Sequence, residues 1–127
     1  MSNALTKDVI LSVQDIAREQ VEVPEWGGHV FVRGMTGEER DSFEASLVER
    51  RGKTRELNFK NMRAGLVARC VVDENGTRLF TDGDIAKLGQ KSASALDRLY
   101  EVASRLSGIG EKDVEELVEE FQGEPQP

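Results

Sequence analysis

The spacing of the apolar residues changes near Met35, and that change constrains the fold more than any other feature. Val21 and Val23 alternate with Gln20 and Glu22, and Val30 and Val32 alternate with His29, Phe31 and Arg33. A period of two marks half-buried strands. Gly27-Gly28 lies between the two runs, where paired glycines suit a tight hairpin turn. Pro24 cannot donate to a sheet ladder, so it belongs at an edge or at the strand's end. The stretch "VEVPEWGGHVFVRGM", Val21 to Met35, therefore predicts a hairpin, with Trp26 as its packing anchor and His29 as a bystander.

From Thr36 the spacing becomes three and four. Thr36 with Glu39 forms a capping box: the hydroxyl accepts from the third amide while the carboxylate returns to the cap amide. Phe43, Leu47 and Val48 give the helix that follows a narrow apolar stripe to about Arg51. Gly52 is read as its stop, and "RRGKTRE" as a loop. Phe59, Met62, Leu66 and Cys70, widened by Val67 and Val71, mark a second, more buried helix. Asn75-Gly76 is either a hairpin turn between Val71-Val72 and Leu79-Phe80 or the loop that ends this helix. Thr81 with Asp84 caps a short helix closed by Gly89. Ser92 caps another, whose Leu96, Leu99, Tyr100, Ala103 and Leu106 keep one apolar face to Gly108. The fold class expected is α+β: a small amino-terminal β-hairpin followed by a bundle of four to five helices.

Four stretches organise the chain. Residues 1–20 form a partly ordered amino-terminal segment, in which Thr6 and Asp8 could start a short helix through Ile10. Residues 21–108 form the α+β domain. Residues 109–122 hold an amphipathic helix packed on that domain or extending from it, and 123–127 form a disordered tail. The charge follows this division. Residues 111–127 hold seven acids and one lysine, which is −6 of the chain's net −7. Such an acidic balance argues against nucleic acid or a membrane surface as general partners, because both need a basic field. No run approaches the roughly 18 apolar residues of a membrane span.

The residues that usually carry catalysis are sparse. A hydrolytic triad needs a histidine beside a nucleophile and an acid, and the single histidine, His29, falls in an alternating strand. One cysteine and one histidine cannot supply a tetrahedral zinc set. Cys70 lies on an apolar helix face, where a thiol behaves as a small hydrophobe. "DENGTRLFTDGD" offers oxygens from Asp73, Asn75, Asp82 and Asp84. A calcium loop counted from Asp73 needs glycine at position six and glutamate at twelve, and finds Arg78 and Asp84. Gly27-Gly28 leads into a strand, whereas phosphate-cradling glycines open a helix. No catalytic residue, metal or cofactor is expected.

Two features remain as partner surfaces. Val114, Leu117, Val118 and Phe121 share one face of the last helix, ringed by Glu115, Glu116, Glu119 and Glu120. That face suits either the domain's own core or a groove elsewhere. Arg50 and Arg51, with Lys53 and Arg55, form a basic 50–55 loop flanked by Glu49 and Glu56. It suits solvent or an acidic surface, and it is the basis of an alternative reading as a small regulatory or nucleic-acid-associated module.

Taken in order, "VEVPEWGG", "TGEER", "CVVDENG" with "RLFTD", "SALDRL" and the closing "DVEELVE" make the chain similar to the tail assembly chaperones of long-tailed phages and prophages, from about Leu5 to Phe121. The resemblance implies a non-enzymatic protein of the host cytoplasm, absent from the mature virion. Its implied partners are the tape measure protein and the tail-tube subunit, with self-association as a second consequence. Family members are often made in a short and a frameshift-extended form, and an ending at "GEPQP" corresponds to the short one.

Overall fold

Arg18–Val23 (β1) and Gly28–Arg33 (β2) pair antiparallel, with Val21 opposite Val30 and Val23 opposite Gly28. The computed structural model of the chain describes residues 3–52, 54–110, 116 and 119, and of Arg50, Arg51 and Arg55 the backbone alone. The hairpin is the one the alternation predicts. Its strand begins three residues before Val21, and Pro24–Trp26 form a single 3₁₀ turn at its end. Gly27 closes that turn with φ 80°, a conformation that costs glycine nothing. The inward residues, Val21, Val23 and Val32, are buried.

Val71–Val72 (β5) adds a third strand on the other side of β2, pairing with Phe31 and Val32. The buried run Val67 to Val72, apolar but for Arg69, therefore changes from helix to strand at Val71 without an exposed residue. The Asp73–Thr77 turn that follows is held by the Asp73 carboxylate, which accepts from the amides of Asn75 (2.8 Å) and Thr77 (3.0 Å). That carboxylate is an Asx-turn cap for its own backbone.

The helices rest on this sheet. After the exposed Lys7–Ser12 (α1), Gly37–Ser46 (α2) opens on the Thr36–Glu39 capping box. Met62–Cys70 (α3) is the centre of the core, with every residue from Ala64 to Cys70 buried. Ile85–Leu88 (α4) follows a capped 3₁₀ turn, Asp82–Asp84, and Ala93–Leu106 (α5) packs along α3 through Leu96, Leu99 and Ala103. Leu66 and Leu99 are fully buried. Full burial of such a side chain contributes about 1.5–3 kcal/mol.

Four expectations are corrected. The α2 helix stops at Ser46 and does not reach Arg51. Residues 48–51 are instead strand β3 (Val48–Arg51), paired with β4 (Thr54–Leu57), so the basic 50–55 segment is a hairpin and not a loop. Gly52, at φ 65°, makes the turn of that hairpin and does not end the helix. The Asn58 amide seals its base on the Leu47 carbonyl at 2.6 Å. Charged residues opposite one another, Glu49 with Glu56 and Arg50 with Arg55, give no alternation to read. Finally, Phe59 precedes α3 and is exposed, not part of its stripe.

One approach sets the packing of sheet against helix. A Cβ at Gly34 would lie 2.5 Å from the Leu106 carbonyl oxygen at the end of α5. Beside it the Met35 amide donates to Ser107 Oγ (2.9 Å), and the Gly34 amide donates to the Ala17 carbonyl (3.0 Å). We expect Gly34→Ala to lower stability by about 1–3 kcal/mol in urea denaturation. Gly37→Ala, where a Cβ meets nothing within 4 Å, stays within about 0.5 kcal/mol.

Arg33 holds Glu39 with two parallel bonds, 2.7 and 2.8 Å, which join β2 to the start of α2. The Arg33 guanidinium keeps the Glu39 carboxyl down at about 2, from an ordinary 4.5. A depressed carboxylate stabilises above its unfolded pKa and loses that contribution as pH falls. Stability from this pair is therefore complete above about pH 4.5 and disappears toward pH 2. Urea midpoints across that range should fall more steeply for the wild type than for Glu39→Gln.

Candidate partner-binding site

Residues 3–20 are all exposed, although the stretch holds Leu5, Val9, Ile10, Leu11, Val13 and Ile16. Thr6 caps α1, its hydroxyl accepting from the Val9 amide at 3.3 Å. A helix of six residues has little stability of its own in water, and α1 buries none of its residues. Leu11 remains 76% exposed and Leu5 67%, values that belong to side chains without a core beside them. Contiguous exposed aliphatics of this kind mark contact surfaces. The arm is tied to the domain at its base, where the Ala17 carbonyl meets Gly34 and Arg18 donates to the Glu74 carbonyl at 3.0 Å.

A second apolar surface lies at the opposite end of the hairpin. Trp26, Leu79, Phe80 and Leu88 line an open groove of 620 Å³, with Lys87 and Lys91 on its rim and Asp84 beside them. Each side chain has a local cause. The 3₁₀ turn places Trp26, and the neighbouring Glu25 is clamped by Arg98 through bonds of 2.8 and 3.0 Å. The same guanidinium holds the Glu25 carboxyl down at about 2. Leu79 and Phe80 follow the Asp73 turn. Leu88 ends α4, which begins where Asp84 accepts from the Thr81 amide at 2.9 Å. That amide and the Thr81 hydroxyl keep the Asp84 carboxyl below its usual range.

The single buried charge among the described residues is Arg69. It donates to the Gly65 carbonyl at 2.9 Å and sits 5.7 Å over the Phe43 ring. The depression it lines also holds Glu38, Glu39, Arg78 and Asp82. Opposite charges interleave there, and no field of one sign forms. Cys70 is buried, and that burial pushes its thiol up to about 11, which removes the thiolate that a nucleophile or ligand needs. His29 is exposed at the turn end of β2, edge-on to Phe31 at 5.5 Å.

The residues proposed from sequence as partner contacts fall at the margins of this description. Arg50 and Arg51 are on β3, with their side chains outside the described residues. Val114, Leu117, Val118 and Phe121 lie outside the described residues altogether, whereas Glu116 and Glu119 are helical and exposed. The structure adds two surfaces that sequence reasoning missed. The arm's one sequence signal was six aliphatics in a dozen residues with no helical or strand period common to all six, a pattern with no face to bury. The groove was not legible, because its lining comes from three separate turns.

A family model described as phage tail assembly chaperone matches residues 5–120. No curated protein matches the chain. Among solved structures, that of the bacteriophage HK97 tail assembly chaperone is similar, with a TM-score of 0.54 at 19% identity, over 72% of this chain and 85% of that one. At that identity the likeness is one of fold.

The exposure of the arm has a direct test. Ile10→Glu with Val13→Glu should leave the unfolding free energy from urea denaturation within about 0.5 kcal/mol of wild type. Leu99→Ala in the core should cost about 2–5 kcal/mol.

Proposed function

We propose that this chain, which belongs to the phage tail assembly chaperone family, holds the tape measure protein soluble during tail assembly by reversible contact, without catalysis. Membership carries the role in tail assembly, and the exposed aliphatic arm supports the choice of client. A tape measure is a very long helical protein whose apolar stripe is exposed until tube subunits surround it. A chaperone for it must offer apolar surface that stays in solution, and Leu5 to Ile16 offer that surface. Surplus negative charge keeps such a protein from precipitating with itself, and this chain carries −7.

The tail-tube subunit is the second client this reading accommodates, since it must be delivered to the same structure. The site of action is the cytoplasm of the host. Among the described residues no helix is long and apolar enough to cross a membrane. The Leu117 and Phe121 face remains part of the proposal as a contact surface.

Co-expression with the tape measure protein of the same phage should raise that protein's soluble yield several-fold and allow the two to be purified together. Ile10→Glu with Val13→Glu should remove both effects while circular dichroism stays unchanged. An unchanged yield with the wild-type chain, and no co-purification, would rule the client out.

A further inference from the structure

We infer that the arm takes its client by continuing α1 into one helix, Lys7 to Ala17, whose apolar face receives a second amphipathic helix bordered by lysine or arginine. This rests on the reading that the arm is the client surface, and adds the shape the arm assumes there and the charge the client brings. The first observation is that α1 ends without a stop signal. Its last residue is Ser12, and Val13, at φ −74° and ψ 142°, turns to extended backbone. No glycine or proline occurs between Lys7 and Ala17, and the last turn of α1 holds no basic residue. The features that commonly end a helix are therefore missing. What stops it is energetic. Six residues hold a helix poorly in water, the β-branched Val13 and Ile16 propagate one weakly, and α1 buries none of its residues.

Continuation gathers side chains that the extended backbone scatters. On a helix running from Lys7, the residues Val9, Ile10, Val13, Ile16 and Ala17 fall at i, i+1, i+4, i+7 and i+8, within an arc of about 120°. That is the spacing by which an amphipathic helix docks on another apolar surface. Leu5, just before the Thr6 cap, takes the position that packs back on Ile10 in a hydrophobic staple. Leu11 alone falls outside the stripe. Both ends are already prepared. Thr6 accepts from the Val9 amide, and the last carbonyls of any helix have no partner within it. Ala17 can therefore end the helix and keep accepting from the Gly34 amide. The flanks choose the partner. Asp8 and Asp15, seven residues apart, lie together on one side of the stripe. Among the described residues neither aspartate has an ion-pair partner. A cation bordering the client's stripe meets both, and the chain's net charge of −7 draws such a client in.

The experiment uses the full-length chain and a synthetic amphipathic peptide of leucine and lysine, with a leucine and glutamate peptide of the same pattern as its counterpart. Gln14→Pro is the decisive variant. It removes an amide that makes no hydrogen bond among the described residues, and Val13 already has the extended backbone that precedes a proline. The free chain should keep its urea denaturation curve, whereas a helix through residue 14 is broken. Calorimetry should show wild type binding the lysine peptide, with Gln14→Pro weaker on the order of 100-fold. The substitution alters no charge, so unspecific attraction is equal in both. Ser12→Ala with Gln14→Ala, which favours the helix, should tighten binding several-fold. The glutamate peptide should bind more weakly than the lysine peptide, and Asp8→Asn with Asp15→Asn should narrow that difference. In the complex, Cα chemical shifts of Val13 to Ala17 should move to helical values. If Gln14→Pro disturbs the fold, Ser12→Gly with Gln14→Gly replaces it and should weaken binding several-fold. No binding of the lysine peptide, equal binding by Gln14→Pro, or no preference between the peptides would each overturn the inference. A tape measure protein bound equally by wild type and Gln14→Pro would overturn it too, while leaving the client reading intact. Peptide results as expected, with no binding of the tape measure, would reject that client and keep the helix.

Discussion

The backbone contact at Gly34 organises the molecule. There the end of β2 and the last turn of α5 approach too closely for a side chain, and the neighbouring amides are taken up by Ala17 and Ser107. One residue earlier, Arg33 pairs with the glutamate that opens α2. The hairpin, the entry to α2 and the exit of α5 thus meet within three residues. This corner also fixes where the two ends of the chain leave. The amino-terminal arm departs at Ala17, and the segment beyond Gly108 departs from the end of α5. Both emerge from the same side, with the Trp26 groove at the other end of the hairpin. The functional layout is a consequence of one close approach.

Periodicity exposed the parts of the fold in which local preference and burial agree. The hairpin between Arg18 and Arg33 was visible because its inward valines alternate and its glycines occupy the turn. The caps at Thr36 and Thr81 were visible because hydroxyl and carboxylate fall three residues apart, and the cap at Ser92 because its hydroxyl precedes an apolar helical stripe. The α5 face was visible because five apolar residues keep one phase. Each of these is short-range physics, written within a few residues of where it acts.

What was hidden depends on contacts between distant or like residues. Strands β3 and β4 pair through charged positions, so no apolar alternation announced them, and a helix seemed to run on through Arg51. Strand β5 was legible only as one of two readings, since Val71 and Val72 directly continue a buried helix, and their turn to strand follows from β2 offering an edge at Phe31 and Val32. The groove assembles Trp26, Leu79, Phe80 and Leu88 from elements some fifty residues apart, which no window along the sequence can combine. The arm was hidden for another reason. Its six aliphatics share no one period because they have no single intramolecular face to fit.

The magnitudes suit a contact that must be released. Burying three or four aliphatic side chains of the arm on a client contributes at most about 5–12 kcal/mol before costs. Association and the ordering of a short helix remove about 4 kcal/mol or more of that. What remains for a single contact is weak, which suits the proposed function if tube subunits are to displace the chaperone from its client. Strength then comes from repetition. On the proposed reading, a long helical client with a repeating apolar stripe meets the arms of several copies at once. A tube subunit needs to displace only one arm at a time, so tight overall holding and stepwise release are compatible in the same complex.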